Sequence, residues 1–240
     1  MFEIRNLTII YPNSKCAVKN LSMKVQAGDV YGFIGKNGAG KTTTLKACFG
    51  IIPITKGNIL LCGKSIFEDP IKCKQRMGFV PDTPMVEEYM TGIQYLNFVS
   101  DIYGLSRKRR IKNIEYYSCV FNMEKKLNVP ISTYSHGMQQ KIALISAFIH
   151  EPKLLVLDEP FVGLDPEAFI ILKKEMKKLC EKGSAVLFSS HILDVVEKCC
   201  NKITILKNGE CVAAGKIQDI LGEHNLEEIF VELSDNENHQ

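Results

Sequence analysis

The sequence predicts an α/β fold: a parallel-sheet core with a phosphate-binding loop, preceded by an antiparallel β subdomain and interrupted by an inserted helical lobe. Three observations predict it. The run Gly35-Lys36-Asn37-Gly38-Ala39-Gly40-Lys41-Thr42 fits G-x-x-x-x-G-K-[ST]. It sits between an apolar strand, Val30-Tyr31-Gly32-Phe33-Ile34, and a helix start. A second apolar strand, Leu154-Leu155-Val156-Leu157, ends in Asp158-Glu159. Between the two strands, residues 84–150 carry apolar positions mainly at helical spacing.

Segments 2–10, 17–25 and 29–34 are short and β-branched, and Pro12-Asn13-Ser14 and Ala27-Gly28 separate them. They read as antiparallel strands leading into the phosphate-loop strand. Thr43-Thr44-Leu45 opens a helix over 41–49, and Pro53 breaks the chain after it. Segments 57–61 and 76–80 are further strands. Ile93, Leu96, Phe98, Val99 and Ile102 predict a helix over 91–103. A second helix is predicted over 106–121, where the basic run Arg107-Lys108-Arg109-Arg110 reads as a solvated face. A third spans 135–149. Alternation then resumes with strand 153–157, helix 166–180, strand 185–189 and helix 192–199. Lys207-Asn208-Gly209-Glu210 supplies the turn of a hairpin between 203–206 and 210–214. Segments 217–221 and 226–233 read as short helices. The domain is expected to span 1–233, with 234–240 a polar, disordered tail.

Bulk properties narrow the class. The chain has 240 residues, 45 % hydrophobic and 24 % charged, which suits one large folded domain. A net charge of +3 is too small to imply nucleic acid by itself. The nine cysteines form no C-x-x-C pair and resemble neither a disulfide framework nor a zinc ligand set. Reduced thiols in a reducing cytosol are expected. No stretch approaches the roughly 20 apolar residues of a membrane span, and no targeting segment opens the chain. The expectation is a cytoplasmic protein that reaches a membrane only through a partner.

Lys41 should reach the β- and γ-phosphates of a nucleotide, and Thr42 should place its hydroxyl on Mg²⁺. Gly38 and Gly40 let the backbone curl around anionic oxygen. Two carboxylates at the end of a buried strand are costly without work or partners. Asp158 would hold the metal through water, and Glu159 would polarise a water for attack on the γ-phosphate. His191 follows the strand 186–190, where a parallel-sheet nucleotide site faces its ligand. Ser135 is a candidate cap and Gly137 leaves backbone open, so this helix start is a second anion site. Two anion sites suggest a nucleotide sandwiched between two copies of the protein.

The ordered set resembles the ATP-binding subunits of ABC transporters over about residues 1–232. The resemblance refines the fold class to a P-loop NTPase core of ABC type. Gly35, Lys36, Asn37, Gly38, Ala39, Gly40, Lys41 and Thr42 look like the Walker A loop, with Thr43 beside it. The segment 154–160 looks like Walker B with Glu159 as catalytic base. Ser135-His136-Gly137-Met138-Gln139 stands at the family's Leu-Ser-Gly-Gly-Gln signature, with Tyr134 in place of its leucine. Gly163-Leu164-Asp165-Pro166 looks like the loop that crosses the dimer interface, His191 like the switch histidine, and Tyr11 like the aromatic that stacks on adenine. Two departures stand out: His136 replaces a signature glycine, and Asp82 stands where the family usually has glutamine. An ionised Asp82 cannot donate as an amide does, but it can accept from a metal-bound water and join Thr42 and Asp158 around Mg²⁺.

The resemblance implies an ATPase cycle. Two copies bind two ATP molecules head to tail, and Tyr11, Lys41, Thr42, Asp158, Glu159 and His191 of one copy face Ser135, Gly137 and Asp165 of the other. The implied partners are a second copy and an integral membrane permease, and the implied site is at the inner face of the cell membrane. The signature, with Leu226-Glu227-Glu228-Ile229-Phe230, resembles the exporter branch of peptide-antibiotic resistance, lantibiotic immunity and sodium efflux. An importer ATPase is the rival within the fold. A soluble ATPase acting on nucleic acid or ribosomes is the rival of another class, and it lacks its usual fused second domain or long coiled coil here.

Overall fold

The computed structural model describes residues 1–222 and 224–235. The chain opens with β1 (Phe2–Ile10), β2 (Cys16–Val25) and β3 (Val30–Ile34). β1 buries Phe2, Ile4, Leu7 and Ile9, so the two-residue alternation slips once. A register shift between Ile4 and Leu7, with Asn6 at φ 49, accounts for the slip. β1 and β2 pair with β4 (Lys56–Leu61) and β5 (Lys64–Ser65) in an antiparallel sheet ordered β2-β1-β4-β5. β5 is two residues long, too short to show a strand period in the sequence.

The larger sheet adds β6 (Met77–Val80), β7 (Leu154–Asp158), β8 (Ala185–Ser190), β9 (Lys202–Lys207) and β10 (Glu210–Lys216), in the order β10-β9-β3-β8-β7-β6. All its pairings are parallel except the β9–β10 hairpin at the edge. β3, β7 and β8 are buried along their whole lengths. Their unbroken apolar runs are what a parallel sheet covered on both faces requires. Successive residues serve opposite faces. Val30, Leu155, Leu157, Val186 and Phe188 pack into one apolar cluster. Tyr31, Phe33, Leu154, Val156 and Leu187 pack into the other, with the antiparallel sheet.

The helices are α1 (Lys41–Cys48), α2 (Pro70–Lys74), α3 (Gly92–Ile102), α4 (Arg107–Val120), α5 (His136–Phe148), α6 (Pro166–Glu181), α7 (Leu193–Cys199), α8 (Ile217–Leu221) and α9 (Leu226–Asp235). α3, α4 and α5 form the inserted lobe. Thr91 caps α3 in a reciprocal box with Gln94, and Ser106 and Ser135 cap the other two. Of the tail expected from 234 onward, Ser234 and Asp235 belong to α9, and 236–240 lie outside the described residues.

Register fixes what meets at the carboxyl edge of the large sheet. Ile34 pairs with Ser190, and Asp158 with Ser189. The loop after β3, the pair Asp158-Glu159 and His191 therefore emerge side by side.

Candidate functional site

The phosphate loop joins β3 to α1. Gly38 and Gly40 both have positive φ, 83° and 106°, and a Cβ at Gly40 would strike the Ala17 carbonyl. Gly40 caps α1 without a side-chain hydrogen bond, so no capping side chain occupies the first N–H groups of the helix, the groups that bind anions at helix starts. Lys41 is buried. Its Nζ donates to the Gly35 carbonyl at 2.6 Å and lies 3.6 Å from Glu159 Oε1. Tyr11 and Thr43 share a hydroxyl hydrogen bond of 3.0 Å.

Tyr11, Lys36, Asn37, Gly38, Gly40, Lys41, Thr42, Thr43, Asp82 and Glu159 line one cavity of about 250 Å³, together with Lys15 and Ala17. Asp82 Oδ1 accepts from the Thr83 N–H at 2.9 Å, which holds the carboxylate at the cavity wall. Asp158, fully buried, ends β7 behind the cavity. Its Oδ1 accepts from Ser189 Oγ at 2.5 Å, and its Oδ2 has no hydrogen-bond partner among the described residues. Burial pushes the Asp158 carboxyl up, the Ser189 and Thr42 hydroxyls pull it back down, and the charges of Asp82 and Glu159 push it up again.

Glu159 leaves the strand in the left-handed region, at φ 49. That conformation is rare for a non-glycine residue, and it clusters at functional sites. His191 Nδ1 stands 3.0 Å from Glu159 Oε2, so the histidine reaches the carboxylate from the neighbouring strand end.

The residues fit Mg²⁺ and a nucleotide. Among the described residues, no group of three or more His, Cys, Asp and Glu could hold a metal unaided. Asp158 with an unpartnered buried oxygen, the Thr42 hydroxyl and Asp82 form an oxygen-only donor set. Mg²⁺ takes one or two such protein ligands and completes its shell with phosphate oxygens and water.

Ser135, Gly137 and Asp165 do not line this cavity. Ser135 caps α5 by accepting from Met138 N at 3.4 Å. Asp165 caps α6 by accepting from Ala168 N at 2.8 Å, and it pairs with Lys141 at 2.8 Å. A Cβ at Gly137 would lie 3.3 Å from the Gly163 carbonyl, so the α5 start abuts the loop after Glu159. Within one chain these three residues form a separate cluster from the phosphate loop.

Sequence reasoning missed three residues. Lys15 lines the cavity but stands in an ordinary turn. Gln140 is buried, and its Nε2 donates to the Pro160 carbonyl at 3.4 Å, which links α5 to the residue after Glu159. Ser189 touches both Asp158 and Glu159. Its signal was a hydroxyl in the otherwise apolar run that precedes Ser190 and His191.

Comparison with known proteins follows the same lines. A family model described as ABC transporter matches residues 18–162. The ABC-type transporter ATP-binding protein EcsA of Bacillus subtilis is 34 % identical over 239 residues, covering 98 % of this chain and 96 % of that protein. The linearmycin resistance ATP-binding protein LnrL of the same organism is 34 % identical over 224 residues, covering 92 % of this chain and 70 % of LnrL. A solved ATP-binding subunit of an ABC transporter superposes with a TM-score of 0.94 at 32 % identity, covering 98 % of this chain and 100 % of that one.

Proposed function

The chain belongs to the ABC transporter family as an ATP-hydrolysing subunit, and from that premise we propose that two copies close on ATP and power export through a separate membrane permease. The observation that carries this reading is Glu159. A carboxylate held off the strand by a left-handed backbone, 3.6 Å from Lys41 Nζ and 3.0 Å from His191 Nδ1, is placed to take a proton from an attacking water. Lys41 exchanges the Gly35 carbonyl for phosphate oxygen and offsets its charge. His191 would orient the Glu159 carboxylate, which it meets at 3.0 Å, and would register the γ-phosphate. When bound, Mg²⁺ between Thr42, Asp158 and Asp82 would neutralise developing charge on the β- and γ-oxygens. Tyr11 would stack on the base.

Ser135, Gly137 and Asp165 stand apart from the cavity, and a second copy turned head to tail would bring them to it. The exporting direction draws support from the similarity to LnrL, a linearmycin resistance ATP-binding protein. No described helix is long and apolar enough to cross a membrane, so transport by this chain calls for a permease partner.

The test is Glu159→Gln in the full chain. Turnover should fall about 10²–10⁴-fold, the usual worth of a positioned base, while ATP binding persists and an ATP-dependent dimer accumulates in sedimentation. Hydrolysis at the parent rate would remove Glu159 from the base role.

A further inference from the structure

We propose that Ser189 is the positioning residue of the site, a single buried hydroxyl that sets Asp158 for the metal and Glu159 for the water at the same time. The proposal rests on the reading above of Asp158 and Glu159. Alternation along a strand would send these two adjacent side chains to opposite faces of the sheet, yet the site needs both at the phosphate. The chain meets the need by turning Glu159 into the left-handed region at φ 49, and something must hold it there.

Ser189 is placed to do so. It is fully buried and sits directly opposite Asp158 in the parallel register of β7 and β8. Its Oγ accepts the Glu159 N–H at 3.0 Å and donates to Asp158 Oδ1 at 2.5 Å. Because a lone pair of the hydroxyl receives Glu159 N–H, its single proton is directed at Asp158, and both bonds have a defined polarity. The donation occupies Oδ1 and fixes the plane of the carboxylate. The other oxygen, Oδ2, is buried and without a hydrogen-bond partner among the described residues, which makes it the oxygen left for the metal. The next hydroxyl does not duplicate this role. Ser190 Oγ accepts from Ile192 N at 3.0 Å and shapes the turn into α7.

Loss of the hydroxyl should therefore act on metal affinity and on the base together, without touching the phosphate loop. The experiment titrates Mn²⁺ into the full chain with a non-hydrolysable ATP analogue, read by electron paramagnetic resonance, beside steady-state ATP turnover. Ser189→Ala should weaken Mn²⁺ binding by about 10–100-fold, the range for groups that orient a metal ligand. It should also lower kcat, and leave metal-free binding of the analogue unchanged. Ser189→Thr, which keeps the hydroxyl, should recover both. Ser189→Cys, a weak donor of similar size, should fall between and serves if the alanine variant does not fold. Parent-like Mn²⁺ affinity and kcat in either the alanine or the cysteine variant would overturn the proposal. If the parent chain itself fails to bind Mn²⁺ with the analogue, the underlying reading of the site fails as well, which is a distinguishable result.

Discussion

Lys41 is 6 % exposed, and its ammonium leans on the Gly35 carbonyl beside the Glu159 carboxylate. A buried cation so placed trades one set of charge-assisted bonds for another when phosphate arrives. Lys41→Ala should therefore weaken ATP binding by about 10–100-fold, since hydrogen bonds to charged groups are worth roughly 1.5–3 kcal/mol. Equilibrium dialysis would check it, and unchanged affinity would contradict the assigned contact. A second residue-level effect lies outside the site. His150 stacks on Tyr103 at 3.6 Å between ring centres, and its Nε2 lies 3.1 Å from the Met77 carbonyl. Burial pulls its pKa down to about 4, against partial opposition from backbone hydrogen bonds. The folded state then binds fewer protons than the unfolded chain between the ordinary histidine pKa and about 4. Stability from this group is complete above the unfolded pKa and is lost as pH falls through that window, by roughly 3 kcal/mol at most. Urea melts at neutral and mildly acidic pH should show the loss, and His150→Phe, which keeps a stacked ring, should flatten it.

At the scale of elements, the β9–β10 hairpin is more than an edge. Its turn places Asn208 and Gly209 at φ 48 and 82, the pattern an Asn-Gly turn supplies. Gly209 N donates to the Ala39 carbonyl at 3.0 Å, and the Gly209 carbonyl accepts from Lys19 N at 2.8 Å. The turn thus braces the phosphate loop against β2. A Cβ at Gly209 would lie 2.8 Å from the Ala17 carbonyl, in a backbone region that side chains rarely adopt. Gly209→Ala should cost about 1–3 kcal/mol of stability and weaken ATP binding along with it. A thermal melt paired with nucleotide titration would check both, and loss of stability with intact affinity would sever the hairpin from the loop. The α6 cap shows the same economy of parts. Asp165 holds the helix start and Lys141 within one chain, so Asp165→Ala should cost about 0.5–2 kcal/mol of stability from the lost cap, apart from any effect between copies.

At the scale of the whole molecule, the phosphate loop and the cluster of Ser135, Gly137 and Asp165 each look like half of a site. If two copies complete one another, Lys41→Ala and Ser135→Arg chains should each be inactive alone. Mixed, they should regain turnover, because one site of the mixed pair has an intact loop and an intact signature. Continued inactivity of the mixture would count against the shared site. Local signals alone were enough for the phosphate loop, the Asp158-Glu159 pair, most of the succession of strands and helices, and the cap at Ser135; the caps at Thr91 and Ser106 emerged with the structure. Strand periodicity, glycine spacing and cap chemistry act over a few neighbouring residues. The sequence by itself did not disclose β5 or α2, which at two and five residues are too short to carry a period. Nor did it disclose Ser189, Gln140 or the bracing by Gly209. Those roles exist only because parallel register sets Asp158 opposite Ser189 and because packing brings α5 and the hairpin against loops far off in the chain. A hydroxyl on an apolar strand has no readable purpose until the fold decides which backbone N–H and which carboxylate it meets.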